Sequence, residues 1–543
     1  MPRRKNIVRK TRKNKKKKNN NENKNYVLIS VYDKTGIIKF AKDLTKLGFK
    51  LISSGGTAKA LEKSKIAVQE VSKLTKYPHM LSGRVKTLHP LIHGGILADR
   101  TNEEHLKEMK HYGIKAIDIV VVNLYPFEKV ISQPDCTLAK AIENIDVGGP
   151  TMVRAAAKNY KNTAIIVDPA DYGKIIKELK KNKGVLSLAT KAQLAKKAFR
   201  HTARYDSIIY SYLTGSNDEQ KNEFPSLVNI SLEKIQNLRY GENPHQKAAF
   251  YRQVGIDDKN QGMSLAKARQ LHGKELSFNN IVDLEAAWNC VVYFADPTVA
   301  IIKHTNPCGI AQAKTPEEAY KKALSCDPVS AYGSVIAFNR TLNKKTAEEM
   351  SALFVEAIIA PDFEAEALKI FKTKKNLRVI KMGENALINT FKGYDFKRVS
   401  GGFLIQEADL KQLAISDIKI VSQNQPSLQE MEDLFFAWGV VKFVKSNAIV
   451  VVKNKKAIGI GAGQMSRIDA AEIALKKAGI EAKGAVIASD AFFPFRDCVD
   501  LAAKHGISAI IQPGGSIRDQ ESIDAANEHG ISLVFTGFRH FRH

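Results

Sequence analysis

Residues 299–309 read Val-Ala-Ile-Ile-Lys-His-Thr-Asn-Pro-Cys-Gly, and this stretch decides how the second half of the chain is interpreted. The apolar run Val299–Ile302 predicts a buried strand. The strand ends at Lys303 and His304, and the Asn-Pro pair that follows predicts a turn. In an open α/β sheet, polar side chains at strand ends face the crevice in which ligands bind. Two ordinary polar residues at an exposed strand end are the alternative interpretation.

Lys303 and His304 are a candidate catalytic pair because of their chemistry. A neutral imidazole can act as a general base near pH 7, and a neighbouring cation favours the neutral form. The motifs elsewhere in the chain bear on whether this pair is functional.

Length and composition limit the class of protein. A chain of 543 residues is too long for one core and predicts two to four domains. Hydrophobic residues make up 44%, which is typical of globular proteins, and no apolar run approaches the roughly 18 residues of a transmembrane helix. The five cysteines form no C-x-x-C pair, which argues against a disulfide framework or a cysteine zinc site and favours a reducing compartment.

The net charge of +28 is unevenly distributed. Residues 1–25 hold twelve Lys or Arg and one Glu, so this tail carries +11 and the other 518 residues carry +17. The tail has too few apolar residues for a core and predicts a disordered basic arm with loose affinity for RNA or acidic surfaces. It lacks the apolar segment of a secretory signal and the features of a mitochondrial transit peptide. The remaining +17 suits either a solvated lysine surface or a funnel for anionic substrates.

The chain after the tail begins with a βαβα pattern. Tyr26–Val31 predicts a strand, a helix follows, and Phe49–Ile52 predicts a second strand that leads into Ser53-Ser-Gly-Gly-Thr57. A glycine-rich turn between a strand and a helix offers backbone N–H groups to a phosphate. A plain βα turn that needs glycine for its backbone angles is the alternative.

Three further motifs follow in the first half. The loop 83–90, Gly-Arg-Val-Lys-Thr-Leu-His-Pro, gathers basic side chains that suit a phosphate or carboxamide ligand, although a solvated basic loop is the alternative. The apolar strand Ile117–Val122 ends in Asn-Leu-Tyr-Pro-Phe at 123–127. Residues 143–150, Glu-Asn-Ile-Asp-Val-Gly-Gly-Pro, lead into a helix with Arg154 and Lys158 on one face. These motifs predict a polar crevice at the ends of the strands.

The second half repeats this arrangement of polar loops beside apolar strands. Its motifs are Leu-Arg-Tyr-Gly-Glu-Asn-Pro-His-Gln at 238–246, Asp-Pro-Val-Ser-Ala-Tyr-Gly at 327–333, Lys-Ser-Asn-Ala at 445–448, Ser-Asp-Ala-Phe-Phe-Pro-Phe-Arg-Asp at 489–497 and Gln-Pro-Gly-Gly-Ser at 512–516. The glycine-rich run 458–464 superficially suits a dinucleotide fingerprint, but no clear Rossmann unit precedes it.

Taken together in this order, the motifs resemble the bifunctional aminoimidazole carboxamide ribonucleotide (AICAR) transformylase and inosine monophosphate (IMP) cyclohydrolase family, from about residue 26 onward. The resemblance implies an α/β protein. It implies a methylglyoxal-synthase-like cyclohydrolase domain at 26–213, a linker at 214–223 and a transformylase region at 224–543 built from two cytidine-deaminase-like subdomains. The zinc signature of true deaminases is absent, so no catalytic metal is expected, while a structural monovalent cation is possible.

The resemblance implies formyl transfer from 10-formyltetrahydrofolate, a cosubstrate, to AICAR. His304 is then the base for the amine, Lys303 stabilises the oxyanion or the leaving nitrogen, and Asn447 places the formyl oxygen. The implied contacts of this region are Arg239, Tyr240, Gly333, Glu356, Asn447, Arg467, Ile468, Phe492, Asp497, Gly514, Gly515 and Arg539. The family more often has Asp where Glu356 stands, and Arg542 competes with Arg539 for the nucleotide.

The resemblance also implies closure of formyl-AICAR to IMP in the first domain. Lys158 is then the proton shuttle, and Asp146, Lys86 and Tyr125 polarise the amide and formyl groups. The implied contacts are Tyr32, Asp33, Lys34, Ser54, Gly55, Gly56, Thr57, Arg84, Val85, Lys86, Thr87, Val122, Asn123, Asp146 and Val147. The family is cytosolic and homodimeric, which the sequence itself does not reveal.

Three other classes of protein compete with this interpretation. A non-catalytic ligand sensor would not need Lys158, Asp146 and a whole transformylase half. A nucleic-acid-binding protein would need more than the basic tail, since no aromatic-interleaved basic patch follows it. A zinc deaminase would contain stoichiometric zinc.

Overall fold

The computed structural model describes residues 25–78, 80–215, 224–254, 264–383 and 393–543. The chain divides into two compact units, Met1–Ser231 and Leu232–His543. The predicted basic tail lies outside the described residues except for Asn25, and so do residues 216–223 of the predicted linker. The proposed domain boundary at 214–223 therefore precedes the division at Ser231 by several residues.

The first unit is built on a five-stranded sheet in the order β3-β2-β1-β4-β5. Its strands are β1 (Tyr26–Val31), β2 (Lys50–Ser53), β3 (Val68–Glu70), β4 (Ile117–Asn123) and β5 (Ala164–Ile166). Every neighbouring pair is parallel, so the carboxyl ends of all five strands lie at one edge. The continuous apolar runs of β1 and β4 are buried because both faces of the sheet are covered.

Helices cover both faces of this sheet, and each face has its own apolar core. The helices are α1 (Ile37–Lys46), α2 (Gly55–Lys63), α3 (Val71–Thr75), α4 (Pro90–Leu97), α5 (Glu103–His111), α6 (Phe127–Ile131), α7 (Leu138–Glu143), α8 (Gly148–Lys158), α9 (Tyr172–Lys181) and α10 (Leu188–Gly215). The amphipathic pattern of α1 predicted its buried face, since Ile37, Phe40, Ala41 and Leu44 are buried.

The second unit contains a mixed sheet of twelve strands in the order β16-β21-β20-β19-β17-β18-β10-β9-β11-β12-β13-β8. Two hairpins lie outside this sheet, β6 with β7 and β14 with β15. The strands are β6 (Ser231–Leu238), β7 (Ala248–Val254), β8 (Arg269–His272), β9 (Thr298–Lys303), β10 (Asn306–Gln312), β11 (Ser334–Phe338), β12 (Val355–Ala360), β13 (Arg378–Lys381), β14 (Tyr394–Val399), β15 (Gly402–Glu407), β16 (Lys419–Ile420), β17 (Ile449–Lys453), β18 (Lys456–Gly461), β19 (Val486–Ser489), β20 (Ala509–Gln512) and β21 (Ser532–Phe535).

The large sheet contains two copies of one topology. Strands β10-β9-β11-β12-β13 and β18-β17-β19-β20-β21 follow the same order with the same parallel and antiparallel pairings. The copies meet edge to edge where β10 pairs antiparallel with β18. A likeness of each copy to cytidine deaminases stays a prediction.

Each copy begins with a helix that packs into a shared central core, α11 (Phe278–Val292) or α15 (Leu428–Val441). The interpretation of the Leu284 and Trp288 stripe as core is consistent with their burial. The remaining helices are α12 (Pro316–Leu324), α13 (Lys344–Glu349), α14 (Ala365–Lys372), α16 (Arg467–Ala478), α17 (Asp497–Lys504) and α18 (Asp519–His529). No helix in the described ranges is both long and apolar enough to cross a membrane.

The structure corrects one local prediction, the turn at Asn306 and Pro307. Lys303 pairs with Asn306 across the hairpin, so β10 already begins at Asn306. The turn consists of His304 and Thr305, which both have positive φ, 50° and 64°. Two left-handed residues match the twist of a two-residue hairpin, whereas the proline lies beyond it inside the strand. His304 therefore sits at the tip of a hairpin.

Candidate active sites

The first candidate site lies at the carboxyl ends of β1, β2 and β4. Asn123, the last residue of β4, holds the loop that follows β1 by three hydrogen bonds. Its side-chain oxygen accepts from the N–H groups of Tyr32 (2.7 Å) and Asp33 (2.9 Å), and its amide donates to the Asp33 carbonyl (2.9 Å). The rings of Tyr32 and Tyr125 meet edge to face at 5.3 Å. The predicted contacts Tyr32, Asp33, Asn123 and Tyr125 thus lie together.

The glycine-rich turn forms the start of α2. Ser54 is extended, Gly55 has a φ of +56°, and no side chain caps the helix. Thr57 is buried, and its hydroxyl accepts from the Val31 N–H (3.1 Å) and donates to the Val31 carbonyl (2.9 Å). Thr57 therefore anchors α2 to β1, and the backbone N–H groups around Gly55 and Gly56 remain available to an anionic group.

Lys86 lies over this turn. A Cβ built on Gly55 would lie only 3.1 Å from the Lys86 Nζ. Ser54, Gly55, Val85 and Lys86 also line a cavity of about 340 Å³. The other lining residues include Glu70, Ser72, Thr75 and Tyr77, which the sequence analysis missed because no motif marks them. The lysine and the turn together suit a phosphate.

Asp146 closes the other side of the first site. Its carboxylate accepts the Gly149 N–H at 2.8 Å, and its own N–H donates to the Tyr205 hydroxyl at 2.8 Å. Burial raises the pKa of Asp146, and hydrogen bonds from the backbone of Gly149 and Tyr125 oppose the shift. A Cβ on Gly148 would lie 3.0 Å from the Thr87 hydroxyl, so the 84–87 and 146–149 loops are neighbours.

Fewer contacts define the positions of the remaining predicted residues of this site. Arg84 forms an exposed ion pair with Glu143, and the Lys34 ammonium donates to the Tyr32 carbonyl at 3.2 Å. The Val122 side chain is buried in β4, so only its backbone can reach a ligand, whereas Val147 is exposed.

Lys158 lies at the end of α8 that is remote from the Asp146 loop. It is the last residue of α8, which begins at Gly148 beside Asp146, and ten residues of helix span about 15 Å. The next residue, Asn159, donates to the carbonyls of Ile96 (2.7 Å) and Ala98 (3.0 Å) at the far end of α4. Lys158 and the Asp146 loop therefore lie at opposite ends of α8, and a shared role in the reaction stays a prediction.

The second candidate site surrounds the β9–β10 hairpin. The Lys303 ammonium donates to the Tyr332 carbonyl at 2.6 Å, and a Cβ on Gly333 would lie 3.4 Å from the same nitrogen. The side chain of Asn306 accepts the Lys445 N–H at 2.9 Å, which ties this hairpin to the segment that leads to Asn447. The two copies of the topology thus bring Lys303, His304 and Asn447 into one region.

Arg467 organises the side of the site that the second copy provides. Its guanidinium is 8% exposed, donates to the Asn447 side-chain oxygen (2.7 Å) and the Ser489 hydroxyl (3.0 Å), and forms an ion pair with the fully buried Asp490. The Asn447 amide donates to the carbonyls of Gln464 and Met465 at 3.0 and 3.2 Å. Arg467 therefore fixes the orientation of Asn447, and Ser489 and Asp490 open the 489–497 motif to which the sequence analysis gave no individual role at these two positions.

The other predicted contacts are described by their own neighbours. Glu356 pairs at 2.6 Å with Arg378, a residue that the sequence analysis missed. Arg239 lies over the ring of Tyr240 at 5.7 Å in the turn after β6. Ile468 follows Arg467 in α16, and Phe492 is half-buried in the loop after β19.

The loops after β19 and β20 supply three further predicted contacts. The Asp497 carboxylate accepts the Cys498 N–H at 2.7 Å at the start of α17. Gly514 and Gly515 have positive φ in the turn after β20, where a side chain on Gly514 would clash with Phe535.

The C-terminal segment distinguishes Arg539 from Arg542. The Arg542 guanidinium donates to the Phe443 carbonyl at 2.9 Å, and burial lowers its pKa. Arg539 is exposed and lies over the Phe541 ring at 4.2 Å. The N–H of the neighbouring His540 donates to the Asp490 carbonyl at 3.1 Å, which places Arg539 near Arg467. Arg539 is thus the better placed candidate for a nucleotide.

The requirements of metal and thiol sites can also be compared with the described residues. Within the described ranges, no group of three or more His, Cys, Asp or Glu side chains is arranged to hold a metal ion. The monovalent cation stays a prediction. Burial raises the pKa of Cys308 to about 12, which is unfavourable for a nucleophile at neutral pH.

Comparisons with known proteins identify the family of the chain. The family model described as AICARFT/IMPCHase bienzyme matches residues 156–477, and the MGS-like domain model matches residues 36–151. A bifunctional purine biosynthesis protein PurH from Acetivibrio thermocellus is 52% identical over 517 residues, which cover 95% of this chain and 99% of the relative. A protein of the same name from Thermoanaerobacter sp. is 53% identical over 516 residues, with coverage of 95% and 99%.

One solved structure, the crystal structure of ForH, is 35% identical and covers 35% of this chain and 100% of its own, but its TM-score of 0.32 supports no argument. The family resemblance predicted from the sequence motifs is confirmed by the family models and the two relatives. The chain belongs to the AICARFT/IMPCHase bienzyme family.

Proposed function

We propose that the chain catalyses two consecutive reactions, formyl transfer from 10-formyltetrahydrofolate to AICAR and closure of the resulting formyl-AICAR to IMP. The observation that carries the proposal is the bond between the Asn306 side chain and the Lys445 N–H, because it joins Lys303 and His304 to Asn447. A separate crevice with Lys86, Tyr125 and Asp146 lies in the other unit. Two such sites suit a family whose model is described as a bienzyme.

Formyl transfer requires a base and a stabiliser of the oxyanion. The amine nitrogen of AICAR bonds to the formyl carbon while the bond from that carbon to the folate nitrogen breaks. His304 takes the amine proton and returns it to the leaving folate nitrogen, and the Lys303 ammonium stabilises the charge on the formyl oxygen or on that nitrogen. The hairpin pairing and the bond to the Tyr332 carbonyl limit the movement of both side chains.

Asn447 has the role of placing the formyl oxygen, and Arg467 holds Asn447 for that role. Arg239, Tyr240 and Arg539 are exposed or half-exposed and suit a ribose phosphate and a ring. Glu356 is committed to Arg378, so it contributes to a nucleotide contact through that pair.

Ring closure is intramolecular, so it depends mainly on holding the substrate in a reactive conformation. The carboxamide nitrogen bonds to the formyl carbon, and the formyl oxygen leaves as water after it has gained two protons. Asp146 and Tyr125 face the reacting groups, and Lys86 supplies or accepts the proton, since Lys158 lies at the end of α8 remote from the Asp146 loop. The N-terminus of α2 and Lys86 hold the phosphate.

The oligomeric state, the compartment and the formyl donor are also part of the proposal. The family resemblance favours a homodimer in the cytosol and 10-formyltetrahydrofolate as the formyl donor. The basic tail binds RNA or acidic surfaces loosely at most, and its deletion should remove such binding without loss of catalysis.

The two reactions can be measured separately on the full chain. Tetrahydrofolate release from AICAR and 10-formyltetrahydrofolate reports transfer, and the loss of formyl-AICAR reports closure. His304→Ala should abolish transfer and leave closure, while Tyr125→Phe should slow closure and leave transfer. Loss of both activities in either variant would contradict separate sites.

A further inference from the structure

The two copies of the topology carry an aspartate at the same place. Asp283 is the sixth residue of α11, Asp433 is the sixth residue of α15, and both helices begin with a capping box at Ser277 or Ser427. Each aspartate binds the backbone of the hairpin turn in its own copy. The turn of the second copy is Asn454-Lys455, with φ of 53° and 54°, close to the values of His304 and Thr305.

The two aspartates use their oxygens differently. Asp433 accepts the N–H of Asn454 (2.8 Å) with one oxygen and the N–H of Lys455 (2.6 Å) with the other. Asp283 accepts the Thr305 N–H at 2.8 Å with a single oxygen. The structural task of holding the turn therefore occupies both oxygens of Asp433 but only one oxygen of Asp283.

The surroundings of Asp283 are also different from those of Asp433. The charged groups that act on the Asp283 carboxyl are His304 in the turn and Lys303 at the end of β9. Burial raises the pKa of Asp283, while the Thr305 N–H and these two groups oppose the shift. The nearest acid along α11, Glu285, accepts instead from Asn289. The second copy has asparagine where the first has His304, so Asp433 has no base to support.

We propose that Asp283 is the positioning residue of the formyl-transfer base. Its carboxylate holds the turn that presents His304 and stabilises the positive charge that the imidazole gains when it takes the amine proton. This inference rests on the proposed formyl transfer. A carboxylate near an imidazole favours the protonated form, so it lowers the energy of a transition state in which the imidazole becomes charged.

The duplication supplies a matched control for the test. Asp283→Asn and Asp433→Asn each keep a side-chain oxygen for a backbone N–H and remove the charge. The kcat and KM of formyl transfer are measured from pH 5.5 to 9, with closure of formyl-AICAR by the other unit as an internal control. We expect Asp283→Asn to lower kcat about tenfold or more and to move the low-pH limb of the profile to lower pH, because the charge that favours the protonated imidazole is gone.

Asp433→Asn should leave the pH profile unchanged even if it lowers the melting temperature. An unchanged profile in Asp283→Asn, or the same change in both variants, would overturn the inference. If Asp283→Asn unfolds, Asp283→Glu retains the charge and should retain the wild-type profile, and a shifted profile there would also overturn it. A wild-type chain without formyl transfer but with normal closure would refute the proposed function instead.

Discussion

At the scale of single residues, Asp146 combines burial with a role beside the reacting groups. Burial raises its pKa, so the carboxylate ionises over a higher pH range than an exposed aspartate. We predict that Asp146→Asn lowers the rate of closure about 100-fold and leaves formyl transfer unchanged. The wild-type rate should rise with pH as Asp146 ionises, and the variant should lack that rise. Asp168→Asn, which removes an ion pair with Lys197 in the same unit, is the control and should keep the wild-type pH profile.

Arg467 gives a second prediction at this scale. A lysine keeps the charge but cannot bond to Asn447, Ser489 and Asp490 together, because the planar guanidinium supplies its donors in several directions. We predict that Arg467→Lys lowers kcat/KM of formyl transfer at least tenfold and leaves closure intact. Arg496→Lys, which changes an exposed ion pair in the same unit, serves as the control. Equal losses in the two variants would mean that Arg467 has no special role in orienting Asn447.

Single residues also mark the limit of what the sequence could predict about the sites. Motifs predicted Asn123, Lys303 and Asn447 because each lies at one end of an apolar strand. The ion-pair partners of Arg467 and Glu356, which are Asp490 and Arg378, come from distant positions that only the fold brings together. The sequence spacing of Asp146 and Lys158 did not show that they lie at opposite ends of α8. Polar partners are set by tertiary pairing, which local patterns do not encode.

At the scale of elements, the close approach of α12 to β10 depends on Gly309. A Cβ at this position would overlap the carbonyl oxygen of Ala323 in α12, and Gly459 has the same relation to Ala474 in the second copy. We predict that Gly309→Ala lowers the free energy of unfolding by about 1–3 kcal/mol, because an overpacked backbone contact must shift. Gly402→Ala has open space around it and should change the melting temperature little. A stable Gly309→Ala would contradict this close packing.

The contact between α17 and α18 predicts a dependence of stability on pH. The Arg496 guanidinium lowers the pKa of Asp500 to about 2, with help from His529. A lowered carboxyl pKa stabilises the folded state above the unfolded value near 3.8, and this contribution disappears as pH falls toward 2. Because the carboxylate is partly open to solvent, we expect Asp500→Asn to cost only about 1 kcal/mol at pH 7.

Chemical denaturation at pH 7, 5 and 3 checks this expectation. The difference between Asp500→Asn and the wild type should be constant from pH 7 to 5 and smaller at pH 3. A difference that grows at pH 3 would have the wrong sign. Asp524→Asn, on an exposed position of α18, is the control.

Elements were more predictable than their arrangement. Apolar runs such as β1 and β4 were predicted correctly because burial on both faces leaves a continuous hydrophobic signal. The turn after β9 was misassigned because proline usually marks a turn, whereas here two left-handed residues precede it. The order of twelve strands was not predictable, since the pairing of β10 with β18 joins residues far apart in the sequence.

At the scale of the whole molecule, each unit has its own sheet, cores and candidate site. This separation predicts that damage to one site leaves the other reaction intact. Lys86→Ala should still form formyl-AICAR, which then accumulates, and Lys303→Ala should still close supplied formyl-AICAR. Chromatography of the products distinguishes these outcomes, and a loss of both reactions in one variant would show that the two sites depend on each other.

The central claim is that one chain converts AICAR to IMP through two distinct sites. The most direct measurement is IMP formation from AICAR and 10-formyltetrahydrofolate by the wild type, by Lys303→Ala, by Lys86→Ala and by a mixture of the two variants. We predict IMP from the wild type, little from either variant alone, and recovery in the mixture because formyl-AICAR diffuses from one protein to the other. If the wild type forms IMP neither from AICAR with 10-formyltetrahydrofolate nor from supplied formyl-AICAR, the account is wrong.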